Sequence, residues 1–259
     1  MKIAIMGAGA FGTALGGILA ENGYDIDYYD SRIERERLSD VVSDSKMILV
    51  AIPSASVPYL LPYLPKNKPL IIATKGILSD GMFSDFKDYM VISGPGFADD
   101  IKAHKKTHLT ITDKRIEELF ARDYLVFDYT KDNNGVLMCG ALKNVYAIYA
   151  GLKGLKRDTK EWKKYIKEAS EEMKLVLKAN GANSKTVDCY CGISDLILTC
   201  GYPSRNYEFG DLLRKNPNYK AEKTVEGISA LKRIRRGEIT VPAEAVLLKE
   251  LVRISEEWS

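Results

Sequence analysis

Residues 3–22 limit the fold more than any other part of the chain. Ile3-Ala4-Ile5-Met6 is a short apolar run that reads as a β-strand. It passes directly into Gly7-Ala8-Gly9-Ala10-Phe11-Gly12 and then into a helical stretch over Gly12–Asn22 that stops at Gly23. A lone G-x-G-x-x-G is a weak signal, but between a strand and a helix it marks a dinucleotide-binding unit. Gly7 suits the tight turn, Gly9 the close approach of backbone to a pyrophosphate, and Gly12 the packing of helix on strand. The N–H groups that open the helix then face the anion.

Such a unit needs parallel strands beside it, and the first half of the chain supplies them. Ile26–Tyr29, Met47–Ala51, Leu70–Ala73, Val91–Ser93, Leu109–Thr112 and Leu125–Phe127 are β-rich runs, mostly bounded by Pro, Gly or Ser, with helical stretches among them. That alternation predicts an α/β fold with a Rossmann-type, doubly wound parallel sheet. After Thr130 the β-rich runs stop. Helical stretches follow at 133–152, 159–180 and 242–257, and Glu161–Lys178 places its apolar residues near 3.6 spacing. Pro242 suits the start of the last of these. The expected organisation is a dinucleotide-binding domain over 1–130 and an all-helical substrate-binding and catalytic domain over 131–259.

The 259 residues include 38 basic and 35 acidic side chains, for a net charge of +3. That balance gives no case for nucleic acid or an acidic membrane surface as partner. The basic patches at Lys163-Lys164 and Arg233-Ile-Arg235-Arg236 are diluted by Glu and read as solvated helix faces. No secretory leader is read at the N-terminus, where the strand runs straight into the glycine loop. The longest apolar run contains a lysine, which makes it a poor membrane span. Four cysteines in a chain of this length do not form a disulfide framework, and two histidines are too few for a convincing metal set. His104 and His108 sit on a Lys-rich stretch and are expected to be exposed. The expectation is a cytoplasmic, metal-free protein with no membrane insertion.

That lysine is Lys143, in Gly135-Val-Leu-Met-Cys-Gly-Ala-Leu-Lys143-Asn144-Val-Tyr-Ala-Ile-Tyr-Ala-Gly-Leu152. A helix apolar all round belongs in a core. An ammonium there is paired, has a depressed pKa, or snorkels to the surface. In the first two cases it is suited to general acid/base work.

Other polar residues stand where ligands gather. Asp30 ends the second strand, where a carboxylate can bond the ribose hydroxyls of NAD, cap the next helix, or repel a 2′-phosphate. Arg32 favours the opposite choice, NADP. Pro53 and Lys75 follow strands in Ala51-Ile-Pro53-Ser54 and Thr74-Lys75-Gly76, and Gly94 opens a third strand-end loop, Gly94-Pro95-Gly96-Phe97-Ala98. Lys75 is either a cationic partner for the ligand or a surface lysine in a turn. Asp195 and Thr199, at i and i+4, share a face if that stretch is helical. Ser204-Arg205-Asn206 offers a hydroxyl, a guanidinium fork suited to phosphate, and an amide.

Taken together and in order, GAGAFGTAL (7–15), AIPS (51–54), ATKG (73–76), GPGFA (94–98), CGALKNVYAI (139–148), DLILTC (195–200), SRN (204–206) and VEG (225–227) resemble the NAD(P)-dependent glycerol-3-phosphate dehydrogenases. The resemblance implies a Rossmann domain followed by a helical domain, usually in a homodimer. It implies that Lys143 is the catalytic proton donor and acceptor. Lys75, Asn144, Asp195, Thr199, Arg205 and Asn206 would surround a small phosphorylated three-carbon substrate, with Arg205 and Asn206 on its phosphate. Ala10, Phe11, Ala98 and Glu226 would line the dinucleotide along with the glycines. Ser204 and Gly94 join the substrate candidates, and Asp30, Pro53, Lys75 and Arg205 the cofactor candidates.

The chain also departs from that pattern. It is short between the second strand and Met47 and again after Gly227. Gly96 stands where the family usually has Ser or Thr, Ser194 where it usually has Gly, and Lys156–Trp162 replaces a segment that normally helps shape the site. Three readings follow. One is a glycerol-3-phosphate dehydrogenase with Lys143 as acid/base. Another is a related dehydrogenase for a different phosphorylated or carboxylated hydroxy compound. The third is a non-catalytic dinucleotide sensor.

Overall fold

A computed structural model of the chain describes residues 1–31, 37–78 and 80–258. They form two compact units: Met1–Thr74 with Ser79–Asn133, and Lys75–Leu78 with Asn134–Ser259. Lys75 thus belongs with the helical unit, although it follows a strand of the first.

The first unit contains seven strands: β1 (Lys2–Met6), β2 (Asp25–Tyr29), β3 (Met47–Val50), β4 (Leu70–Ile72), β5 (Tyr89–Ser93), β6 (Thr107–Ile111) and β7 (Leu125–Tyr129). Helices α1 (Ala10–Glu21), α2 (Arg37–Ser43), α3 (Val57–Leu60), α4 (Ala98–Lys102) and α5 (Lys114–Leu119) connect them. The sheet order is β2-β1-β3-β4-β5-β6-β7, which winds outward in both directions from β1. β1 to β5 are parallel, as the alternation predicts.

The β5–β6 pair is antiparallel, with Ile92 opposite Ile111, before β6 and β7 pair in parallel again. This departs from the all-parallel expectation, and helix length does not account for it: α4 has five residues, yet α5, with six, connects the parallel pair β6 and β7.

The core of this unit packs Ile3, Ile5, Leu15, Leu19, Leu49 and Ile71 with Ile92, Leu109 and Phe120, all almost fully buried. β3 is buried along its whole length, as expected of a strand covered on both faces. α1 begins two residues before the expected Gly12, because Gly9 is extended (φ −74°, ψ 178°) and serves as the N-cap.

The second unit is helical: α6 (Asn133–Leu152), α7 (Lys160–Ala179), α8 (Asp195–Thr199), α9 (Arg205–Lys215), α10 (Glu226–Arg235) and α11 (Val246–Ile254). α6 is long and apolar enough to cross a membrane, yet its apolar window is 94% buried inside the protein, which makes it a core helix. α7 is amphipathic, with Trp162, Tyr165, Ile166, Met173 and Val176 turned inward.

The last helix starts at Val246 rather than at Pro242. Its start is set from a distance. The Glu172 carboxylate of α7 accepts hydrogen bonds from the backbone N–H of Leu247 at 2.7 Å and of Leu248 at 3.1 Å, and a third from the Tyr146 hydroxyl at 3.1 Å.

Candidate active site

In the first unit the glycine loop sits where the winding reverses, between β1 and β3, the position at which doubly wound sheets bind ligands. Gly7 has φ +109°, and a Cβ there would stand 2.6 Å from the Ala51 carbonyl oxygen. A Cβ on Gly12 would stand 2.1 Å from the Gly7 carbonyl oxygen. Both glycines are therefore demanded by the protein's own packing.

Gly9 differs: a Cβ there would meet nothing within 4 Å. Gly9 and Ala10 are exposed, and no side chain caps α1. The loop thus keeps an open backbone surface at a helix N-terminus, as a dinucleotide pyrophosphate requires. Asp30 accepts a hydrogen bond from the Ala8 N–H at 3.0 Å, so one of its oxygens organises the loop itself. Arg32 lies outside the described residues. Phe11 and Ala98 are half-buried and Pro53 is exposed, while Gly94 is buried with φ +153°, its space closed by His108 and Leu109. At Gly96 a Cβ would lie 2.9 Å from the Thr107 methyl carbon. The loss of a Ser or Thr there accompanies a tight contact with β6.

Of the histidines, His104 is exposed and bonded to Glu21 at 3.2 Å. His108, expected to be exposed, is half-buried because its position in β6 pairs with Val126 of β7.

In the second unit, Lys143 does not snorkel. It is 5% exposed and Asp195 is 1% exposed. The Lys143 ammonium donates to Asp195 Oδ1 at 2.6 Å and to Thr199 Oγ1 at 3.0 Å. Lys75 reaches the other oxygen, Asp195 Oδ2, at 3.3 Å. Asp195 and Thr199 do share a face, that of α8. One carboxylate therefore serves two ammonium groups in a buried site. Burial pushes the Lys143 pKa down to about 8, Asp195 opposes that shift, and Lys75 adds to it.

One residue along α6, a second polar cluster begins. Asn144 donates to the Gly140 carbonyl at 3.0 Å and accepts from Asn206 at 2.9 Å, and Asn206 accepts from the Gly227 N–H at 3.0 Å. An amide has two N–H donors, so one remains on each asparagine after these bonds. Gly227 has room for no side chain: a Cβ would lie 2.7 Å from the Asn144 carbonyl oxygen. In sequence Gly227 is only the last residue of the Val225-Glu226-Gly227 motif, and nothing there marks it as part of the site.

α6 and α9 approach closely at Gly151 and Gly210, where a Cβ on either would stand 2.1 Å from the other helix's backbone. That contact sets α9, which bears Arg205 and Asn206, against α6, which bears Lys143 and Asn144. Ser204 is the N-cap of α9 and accepts from the Tyr207 N–H. Its hydroxyl is engaged in the fold rather than displayed. Arg205, the first residue of α9, is exposed, forms no ion pair among the described residues, and donates a long hydrogen bond to the Thr224 carbonyl, at 3.5 Å. Glu226 is half-buried at the start of α10. None of the four cysteines is in a disulfide, and no group of three or more His, Cys, Asp or Glu side chains able to hold a metal occurs among the described residues.

A profile of the NAD-dependent glycerol-3-phosphate dehydrogenase C-terminus matches residues 132–258. The chain is also 32% identical to the glycerol-3-phosphate dehydrogenase (NAD(P)+) of Leptospira biflexa serovar Patoc, over 85% of its own length and 81% of that protein's. The chain belongs to the NAD(P)-dependent glycerol-3-phosphate dehydrogenase family. The family member of Pseudomonas entomophila is likewise 32% identical, over 89% of this chain and 82% of its own. The crystal structure of the Coxiella burnetii glycerol-3-phosphate dehydrogenase has the same fold, with a TM-score of 0.79 over 99% of this chain and 98% of that one, at 23% identity.

Proposed function

We propose that this chain interconverts glycerol 3-phosphate and dihydroxyacetone phosphate, with Lys143 as the general acid and base. The buried Lys143–Asp195 pair carries this reading, because a dinucleotide-binding protein without chemistry has no use for it. Gly7, Gly9, Ala10, Phe11 and Gly12 fit a dinucleotide, with Asp30 beside them favouring NAD over NADP. A nicotinamide held there would supply the hydride that is exchanged with the substrate's secondary carbon.

Lys143 holds a proton on Nζ and delivers it to the substrate oxygen as the carbonyl is reduced, or removes it in the other direction. With a pKa of about 8, it exchanges that proton near neutrality. Such acid/base assistance contributes about 10²–10⁴-fold. Asp195 keeps the ammonium charged and Thr199 fixes its direction. Lys75 adds positive potential against a substrate that arrives as an anion. Arg205, with a guanidinium that no carboxylate claims among the described residues, and the remaining Asn206 N–H at the start of α9 are suited to the phosphate. Phosphate binding remote from the reacting carbon orients that carbon.

Gly96 and the replaced Lys156–Trp162 segment favour a second reading, a different phosphorylated or carboxylated hydroxy compound. The test is oxidation of NADH and of NADPH with dihydroxyacetone phosphate, beside unphosphorylated dihydroxyacetone and a small 2-keto acid. Turnover with dihydroxyacetone phosphate far above the others supports the proposal. Turnover with the keto acid alone sinks it, as does NADH binding with no turnover on any of the three.

A further inference from the structure

We infer that Arg157, with Trp162, is a positioning residue that holds α8 so that Asp195 and Thr199 meet Lys143. This rests on the reading of Lys143 as the proton donor. α8 has only five residues, and helices shorter than about 12 residues do not hold together on their own. Its N-terminal side gives little support, since Tyr190–Ser194 is a π-turn with Gly192 at non-helical φ −91°, ψ −105°. Its C-terminal carbonyls have no partner within the helix.

The missing partners come from the segment in which this chain departs from its family. Arg157 Nη2 donates to the Ile197 carbonyl at 2.8 Å and to the Leu198 carbonyl at 2.9 Å, and Trp162 Nε1 donates to the Cys200 carbonyl at 2.6 Å. A cation at that end also complements the helix dipole. Trp162 is itself fixed: it is 4% exposed, and its backbone N–H bonds the Thr159 hydroxyl that caps α7. The clasp therefore joins the rigid start of α7 to the helix that carries Asp195 and Thr199. Thr199 lies one residue beyond Leu198, so the two Arg157 bonds set the turn from which its hydroxyl meets Lys143.

Arg157 is exposed, and so is Ile197. Water can satisfy the carbonyls when the guanidinium is removed, so the protein still folds, but the direction of α8 is no longer imposed. Lys143 is faced by Asp195 from α8, by Lys75 from the 75–78 segment, and by Cys200 just past α8. Among these, only the Asp195 carboxylate favours its protonated form. A slackened α8 therefore moves the Lys143 midpoint toward acid.

The experiment compares Arg157→Ala, Arg157→Lys and Lys143→Ala with the wild type, reading kcat, KM for dihydroxyacetone phosphate, the pH midpoint of the rate, and thermal melting. Arg157→Ala is expected to melt like the wild type, to keep its KM, to lose about 10- to 100-fold in kcat, and to move the midpoint to lower pH. Arg157→Lys, which restores a donor and the charge, is expected to recover most of the rate and the midpoint. Wild-type kcat and midpoint in Arg157→Ala would overturn the inference. So would a loss of rate with an unmoved midpoint and no recovery by lysine. If Lys143→Ala abolishes turnover and Arg157→Ala does not change it, only this inference fails. If Lys143→Ala turns over normally, the underlying mechanism fails with it.

Discussion

Lys143 and Asp195, 52 residues apart in sequence and on different helices, lie 2.6 Å apart, nitrogen to oxygen. The pair is buried and also unequal in charge, because Lys75 shares the same carboxylate at 3.3 Å. Two ammonium groups on one carboxylate leave a net positive charge away from water. Burial is the main cause that holds the Lys143 pKa below that of an ordinary lysine, and the Lys75 charge adds to it; the same net charge gives an anionic substrate a reason to enter.

The two directions of the reaction should respond oppositely to pH. Reduction needs the Lys143 ammonium, so kcat/KM for dihydroxyacetone phosphate is expected to be level at neutral pH and to fall above about pH 8. Oxidation needs the neutral amine, so kcat/KM for glycerol 3-phosphate is expected to rise and then level above the same point. Initial rates in both directions across pH 6–10, roughly the range over which a group of this pKa titrates, check this. Parallel profiles would contradict it.

Asp195→Asn keeps the shape and removes the charge. Breaking a buried ion pair costs about 3–5 kcal/mol, so the melting temperature should fall. The Lys143 pKa loses the one charge that raises it, the amine becomes neutral at pH 7, and reduction should slow by at least ~10²-fold. Denaturant unfolding together with steady-state kinetics measures both effects.

Arg205→Ala tests phosphate recognition separately from chemistry. The side chain is exposed and ties down nothing but a long contact to Thr224, so stability should be unchanged. A charged hydrogen bond to phosphate contributes about 1.5–3 kcal/mol, which predicts a rise of about 10- to 100-fold in KM for dihydroxyacetone phosphate. The rate with unphosphorylated dihydroxyacetone should stay as it is.

The glycine loop offers a contrast within six residues. Gly12→Ala places a methyl 2.1 Å from the Gly7 carbonyl and should destabilise the protein by about 1–3 kcal/mol. Gly9→Ala meets nothing within 4 Å, so melting should be unaffected while NADH affinity falls. An NADH fluorescence titration beside a thermal melt separates the two. Unchanged NADH binding in Gly9→Ala would remove the loop from the dinucleotide site.

What the sequence made legible was local. The glycine loop, the apolar strands and the 3.6-residue period of α7 are short-range patterns, and each element appears within a few residues of its expected place. Lys143 was legible because a charge inside an apolar helix conflicts with its neighbours. The antiparallel β6 was not, because a strand's composition does not encode the direction in which it pairs with its neighbour. Nor was the start of α11, which Glu172 sets from a different helix. Asn144 and Asn206 read as ligand contacts, yet most of their bonds hold α6, α9 and the Gly227 backbone together. Arg157 stood in the altered Lys156–Trp162 segment with no role of its own, and nothing near it in sequence points to carbonyls 40 residues away.

The most direct measurement is single-turnover NADH oxidation by Lys143→Ala with saturating dihydroxyacetone phosphate, with NADH binding verified in the same sample. NADH binding is expected to be intact and the rate to be reduced by about 10²–10⁴-fold. A wild-type rate in that variant would contradict the acid/base role of Lys143.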